Sequence, residues 1–116
     1  MEISFAAQPS GVMMITLVGR LDIQGAARID MQFTAVAAGN AAVVVDMGAV
    51  VFMASMGLRT LLLAAKAMRG KAGRMVLYRP QAEVEEVLVT SGTSQLMPIS
   101  HDLAEAERLA SGIAAG

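Results

Sequence analysis

The chain has 116 residues, of which 55% are hydrophobic, 16% charged and 3% aromatic, with a formal net charge of −1. That length fits one domain, spanning 1–116, with a core of its own and no need of metal or disulfide staples. With no cysteine and a single histidine, a disulfide framework, thiol catalysis, Cys-ligated zinc, a multi-histidine metal centre and a Ser-His-Asp triad have little or no material.

Catalytic residues, metal and cofactor are therefore not expected. The near-neutral charge speaks against a general nucleic-acid binder, and the scarcity of aromatic residues removes the stacking platform that single-strand binders use. The mean hydropathy of +0.57 comes from Ala, Val, Leu and Met. The uncharged run between Asp46 and Arg59 is too short to cross a bilayer and contains Gly and Ser, so no membrane insertion is expected. The opening MEISFAAQPS lacks a basic region followed by a long apolar run, and a cytoplasmic location is the expectation. Charge is unevenly placed: Arg59, Lys66, Arg69, Lys71, Arg74 and Arg79 lie close together, whereas Glu83, Glu85, Glu86, Asp102, Glu105 and Glu107 dominate the later part. Such blocks read first as solvated helix faces.

Glu2 to Ala7 and Val12 to Val18, separated by the turn cluster Gln8-Pro9-Ser10-Gly11, predict a β-hairpin. The second run is apolar on both faces, as in a strand well inside a sheet. Gly19-Arg20-Leu21-Asp22 breaks the strand pattern, and a helix is predicted from Ile23 with Asp22 as N-cap. Ala26, Ile29, Phe33 and Val36 form its inner side, and Gly39-Asn40, both tolerant of a left-handed backbone, close it. Ala41 to Met47 predicts a central strand ending at Asp46, followed by a loop from Gly48 to Met53.

Ser55 then opens a helix in which Leu58, Leu61, Leu62, Ala65 and Met68 share one face and Arg59, Lys66 and Arg69 the other. A hydroxyl there caps the helix or presents an anion site. Met53 and Met68 are assigned to the core. The helix stops between Gly70 and Gly73, Arg74 to Tyr78 predicts the next strand, and Pro80 is placed as the first residue of a third helix. That helix turns Val84, Val87 and Leu88 inward and Glu83, Glu85 and Glu86 outward, and gives way at Ser91-Gly92. Leu96 to Ile99 predicts a short strand, and His101 a surface or capping residue. Asp102 caps a last helix, with Glu105 reaching back as in a capping box and Leu103, Ala106, Ala110 and Ile113 buried. The terminal Ala-Ala-Gly is expected to fray. The order is β-β-α-β-α-β-α-β-α, an α/β fold whose later strands are parallel through right-handed crossovers.

This order, together with Gly19-Arg20-Leu21-Asp22, Val43-Val44-Val45-Asp46-Met47 and Ser55-Met56-Gly57-Leu58-Arg59 opening a helix, resembles a STAS domain. Gly73 to Leu77, Pro80 and Ser91-Gly92 also fall where that family places its fourth strand and third helix. The resemblance implies a mixed sheet of about five strands with about four helices mainly on one face, no catalysis, and docking on a protein. In the anti-sigma factor antagonist branch the partner is an anti-sigma factor that is also a serine kinase. The unphosphorylated antagonist binds it and frees the sigma factor; phosphorylation breaks that complex.

The family's switch motif, Asp-Ser-Ser/Thr-Gly-Leu, falls on Ala54, Ser55, Met56, Gly57 and Leu58. Met56 thus stands in the acceptor position, and a thioether has no hydroxyl to phosphorylate. Ser55, one residue early, is the candidate phosphorylation site. Asp22, Ala54, Ser55, Met56, Gly57, Leu58 and Arg59 are the candidate partner-binding residues, with Met56 as an apolar knob on the docking face. Asp46, placed near a strand end on the same sheet edge as Asp22, reads as a loop-stabilising carboxylate that could also line the site. A STAS subunit docking on the ATPase of a membrane transporter is the alternative, and whether the chain forms a homodimer is left open. A small nucleotide- or phosphate-binding protein is the alternative of another class, although the turn at Ala54 to Leu58 has one glycine and no P-loop lysine.

Overall fold

The computed structural model describes residues 1–112. Its elements follow the predicted order: β1 (Glu2–Ala7), β2 (Met13–Leu21), α1 (Ile23–Ala38), β3 (Ala42–Met53), α2 (Ser55–Arg69), β4 (Arg74–Tyr78), α3 (Ala82–Thr90), β5 (Ile99–Ser100) and α4 (Leu103–Ala110). The strands form one sheet in the order β1-β2-β3-β4-β5, with β1 antiparallel to β2 and every later pairing parallel. A hairpin can only reverse the chain, whereas each helical crossover returns it to the same direction, so the mixed sheet follows from the connections.

Strand alternation divides the core between two faces. Val43, Val45 and Met47 of β3 and Met75 and Leu77 of β4 join Ile29 and Phe33 of α1, Leu61 and Met68 of α2, and Val84 and Leu88 of α3. Val44 and Val76 point the other way and meet Ala106 and Ala110 of α4. Three helices therefore share one face and α4 lies alone on the other. Its two buried alanines, one turn apart, let it sit close to the sheet.

Strand limits differ from expectation where β2 and β3 continue together. Gly19 to Leu21 stay in β2 and Gly48 to Met53 form the second half of β3, pairing Val18 with Ala49, Gly19 with Val50, Arg20 with Phe52 and Leu21 with Met53. Two register shifts, each adding one residue to β3, interrupt the side-chain period that sequence reading relies on. Gly19, with φ of +116°, supplies a conformation that residues with a Cβ rarely adopt.

Other limits shift for local reasons. Gly39 closes α1 with φ of −85° and not in the left-handed region, while the Asn40 side-chain amide donates to the Val36 carbonyl at 2.8 Å. Gln81 is the N-cap of α3, so buried Pro80 precedes the helix instead of opening it. Val87 is exposed on α3 and Leu103 on α4, against their assignment to the core. Leu96 and Met97 sit in a turn whose N–H groups bond the Thr93 carbonyl, which leaves β5 only two residues. Asp102 caps α4 by accepting from the Glu105 N–H at 3.0 Å, but it is the Ser100 hydroxyl, not Glu105, that takes the Asp102 N–H. Ile113 and the terminal Ala-Ala-Gly lie outside the described residues.

Candidate functional site

The ends of β2 and β3 deliver the chain into α1 and α2 side by side. The Ala54 N–H donates to the Leu21 carbonyl at 3.0 Å, which carries β3 to Met53 and makes Ala54 the N-cap of α2. The Leu58 N–H then closes the first helical bond onto the Ala54 carbonyl at 3.0 Å. Ser55 is consequently the first helical residue and not the cap, and no side chain caps this helix. The first turn of α2 has no acidic residue, so its N–H groups and exposed Ser55 side chain present an uncompensated positive helix end.

Asp22 holds the adjacent end of α1. It accepts from the Gly25 N–H at 2.8 Å and lies 3.6 Å from the Arg20 guanidinium. The Gly25 N–H, reinforced by the Arg20 charge and opposed by burial, lowers the Asp22 carboxyl below the ordinary aspartate range. Arg20 also stacks over Phe52, 4.3 Å from the ring centroid. Two glycines fit the helices beneath the end of β2. A Cβ on Gly25 would collide with the Arg20 carbonyl, and one on Gly57 with the Leu21 carbonyl.

The expected partner-binding residues therefore converge, but with distinct roles. Gly57 is buried and sets the seating of α2, and Leu58 is half-buried against the core. Ser55, Met56 and Arg59 are exposed, Met56 by 43%. Thr60, which is buried, donates its hydroxyl to the Met56 carbonyl at 3.2 Å.

Asp46 lies elsewhere. It sits within β3 on the face that carries α4, not at a strand end beside Asp22, because β3 runs on for seven residues beyond it. Its carboxylate accepts from Arg79 Nε at 2.9 Å, Arg79 Nη2 at 3.1 Å and the Gly48 N–H at 2.9 Å. Gln81 donates to the Gly48 carbonyl at 3.0 Å, so Asp46 braces the β4–α3 connection against β3. Burial pushes the Asp46 carboxyl up, but the Arg79 guanidinium and the Gly48 N–H together outweigh it and lower it. His101, on the surface, pairs with Glu85 of α3.

Large apolar side chains flank the α2 terminus on both sides. Ile23 and Met31 of α1, 65% and 85% exposed, line a groove with Met56, Thr60 and Leu63 of α2. Val51, Phe52 and Val87 form a smaller patch on the other side. Ile23, Met31, Val51, Phe52 and Leu63 were missed in the sequence, although Ile23, Ala27 and Met31 recur at four-residue intervals beside the buried stripe of α1.

Among the described residues no group of three His, Asp or Glu side chains could hold a metal. Strands β2 to β5 lie in chain order, so the parallel part of the sheet lacks the reversal of strand order at which open α/β sheets form a nucleotide crevice. No helix among the described residues is long and apolar enough to cross a membrane.

The STAS domain family profile matches residues 6–106. BtrV of Bordetella bronchiseptica, named as an anti-sigma factor antagonist, is 32% identical over 92 residues, covering 78% of this chain and 79% of BtrV. Among solved structures, the antagonist SpoIIAA in its unphosphorylated form superposes with a TM-score of 0.76 at 22% identity, covering 97% of this chain and 99% of SpoIIAA. An anti-sigma factor antagonist from Mycobacterium paratuberculosis superposes with a TM-score of 0.78 at 22% identity, covering 95% of this chain and 93% of that one.

Proposed function

From the membership of this chain in the STAS domain family, we propose that it is a non-enzymatic, cytoplasmic docking module of the anti-sigma factor antagonist kind. Its partner is an anti-sigma factor with serine kinase activity, held against the N-terminal end of α2. The observation that carries this reading is the exposed first turn of α2 between two apolar patches. Ser55, Met56 and Arg59 meet the partner directly; Asp22, Ala54, Gly57 and Leu58 position them.

The exposed thioether of Met56 in the usual acceptor position supports a complex that kinase action at that position does not dissolve. The hydroxyl next to that position belongs to exposed Ser55. A phosphoryl group there would place about −1.5 to −2 charges in the contact while suiting the helix end. Met56 also favours a second reading, a subunit docking on a transporter ATPase, because that role requires no phosphorylation cycle.

The test is affinity capture of the tagged chain from its own host, with bound proteins and bait phosphorylation read by mass spectrometry. The expected result is a stoichiometric serine kinase or anti-sigma factor lost on Met56→Asp. Recovery of a transporter ATPase would move the chain to the second reading, and a capture indifferent to Met56→Asp would remove the α2 terminus as the docking site.

A further inference from the structure

We propose that Met31 and Met56 form a reversible oxidation site, at which a peroxide converts the two thioethers to sulfoxides and so closes the docking surface to its protein partner. The inference rests on the docking reading above and gives it a means of control that needs no hydroxyl at the acceptor position.

The chain has ten methionines and neither cysteine nor tryptophan, so its thioethers are its only sulfur and the side chains that a two-electron oxidant modifies first. Burial sorts them into distinct groups. Met47, Met53, Met68, Met75 and Met97 lie in the core, at most 6% exposed, where they fill space between the sheet and the helices. Met1, Met13 and Met14 are half-buried. Only Met31 and Met56 are exposed, by 85% and 43%. Both line the same groove, Met31 from the third turn of α1 and Met56 from the first turn of α2. Solvent access alone therefore directs an oxidant to the docking end of α2 and to the helix beside it.

Ile23 and Leu63 give this groove apolar surface without a reactive atom, whereas the two methionines add apolar surface whose polarity oxidation changes. In the step, a sulfur lone pair attacks one oxygen of hydrogen peroxide, the S–O bond forms as the O–O bond breaks, and the other oxygen leaves as water after a proton shift. Sulfur gives up two electrons and the peroxide takes them. The sulfoxide oxygen is a hydrogen-bond acceptor that water solvates in the free chain, and burying it against an apolar partner surface forfeits that solvation. The seating of α2 is set by Gly57 against the Leu21 carbonyl, away from the exposed thioether, so the fold is kept. A seated partner covers Met56, and the oxidant therefore acts on the free chain. Methionine sulfoxide reductases reverse the change: the oxygen departs as water and two thiols supply the electrons by joining in a disulfide.

The experiment treats the purified full chain with graded hydrogen peroxide, removes the oxidant, maps sulfoxides by peptide mass spectrometry, and measures capture of the partner from untreated host lysate. Sulfoxides are expected at Met31 and Met56 about tenfold or more ahead of the five buried methionines, with an unchanged circular dichroism spectrum and capture reduced by about tenfold. Methionine sulfoxide reductases should restore capture, and the double variant Met31→Leu with Met56→Leu should keep it after peroxide. If that variant fails to bind before treatment, recovery with the reductases decides the matter. Sulfoxides spread evenly over the core methionines, or full capture by a chain oxidised at both positions, overturns the inference. So does an equal loss in the leucine variant, which would place the cause elsewhere. Capture lost on Met56→Asp but kept after oxidation overturns the oxidation site and leaves the docking reading standing, whereas capture indifferent to both overturns the two together.

Discussion

Gly57 of α2 faces the carbonyl oxygen of Leu21 at the end of β2 so closely that a methyl group on its Cα would collide with it, and with the Leu21 side chain, whose Cγ would stand at 2.6 Å. The backbone of one element thus rests on that of another at the point where the candidate docking residues emerge. Gly57→Ala must push α2 away from β2, because the obstructing atom is a peptide oxygen held in place by the Ala54 N–H. The expected cost is about 1–3 kcal/mol of stability in urea or guanidinium unfolding. A stability equal to that of the unmodified chain would mean that this contact is loose.

Met56→Asp separates folding from binding. The residue lies in the first turn of α2, where a carboxylate suits the helix dipole, and it is 43% exposed. Thermal stability is therefore expected to hold or rise slightly, while affinity for the captured partner falls by about tenfold or more as an apolar contact becomes a charged one. Titration calorimetry on the pair reads both consequences, and unchanged affinity removes Met56 from the interface.

The Asp46–Arg79 pair predicts an acid limb in the stability profile. The Asp46 carboxyl titrates lower in the folded chain than in the unfolded one, so the unfolded chain takes up the proton first. The stabilisation is complete above the unfolded value, near pH 4, and is lost as pH falls through the lower folded value. Asp46→Asn should flatten this part of the profile in thermal melts between neutral pH and pH 2–3, besides lowering stability at pH 7 by releasing Arg79. An acid limb of the same steepness in the variant would assign it to other carboxylates.

The parts of this fold that were readable in the sequence are those where period and punctuation agree. Met75, Val76 and Leu77 form a plain apolar run at the centre of β4, and Asp22 and Asp102 precede helices whose third N–H they accept. Gly48 to Met53 was unreadable as strand because two register shifts scramble its alternation and only the pairing with β2 holds it extended. The candidate docking residues were singled out through the ordered resemblance, since Met56 and Gly57 have no chemical signature of their own. The α1–α2 groove stayed hidden because a stripe beside a buried stripe looks like a wide core face until the structure reveals which side meets solvent.

Met56→Ser tests the nature of the partner most directly. The substitution puts a hydroxyl at the exposed second residue of α2, where the related switch motif carries its acceptor, and leaves Gly57, Leu58 and the helix seating untouched. With a serine kinase as partner, the new hydroxyl oxygen attacks the terminal phosphorus of ATP, ADP departs, and the hydroxyl proton goes to solvent or a kinase base. One phosphoryl group per chain is then expected at position 56, followed by loss of the complex. Ala54 stands where the motif has an aspartate, so the double variant Ala54→Asp with Met56→Ser should be modified faster than the single one. If the partner binds ATP yet modifies neither variant, measured by intact mass over a time course, the kinase assignment fails and docking on a transporter ATPase becomes the better account.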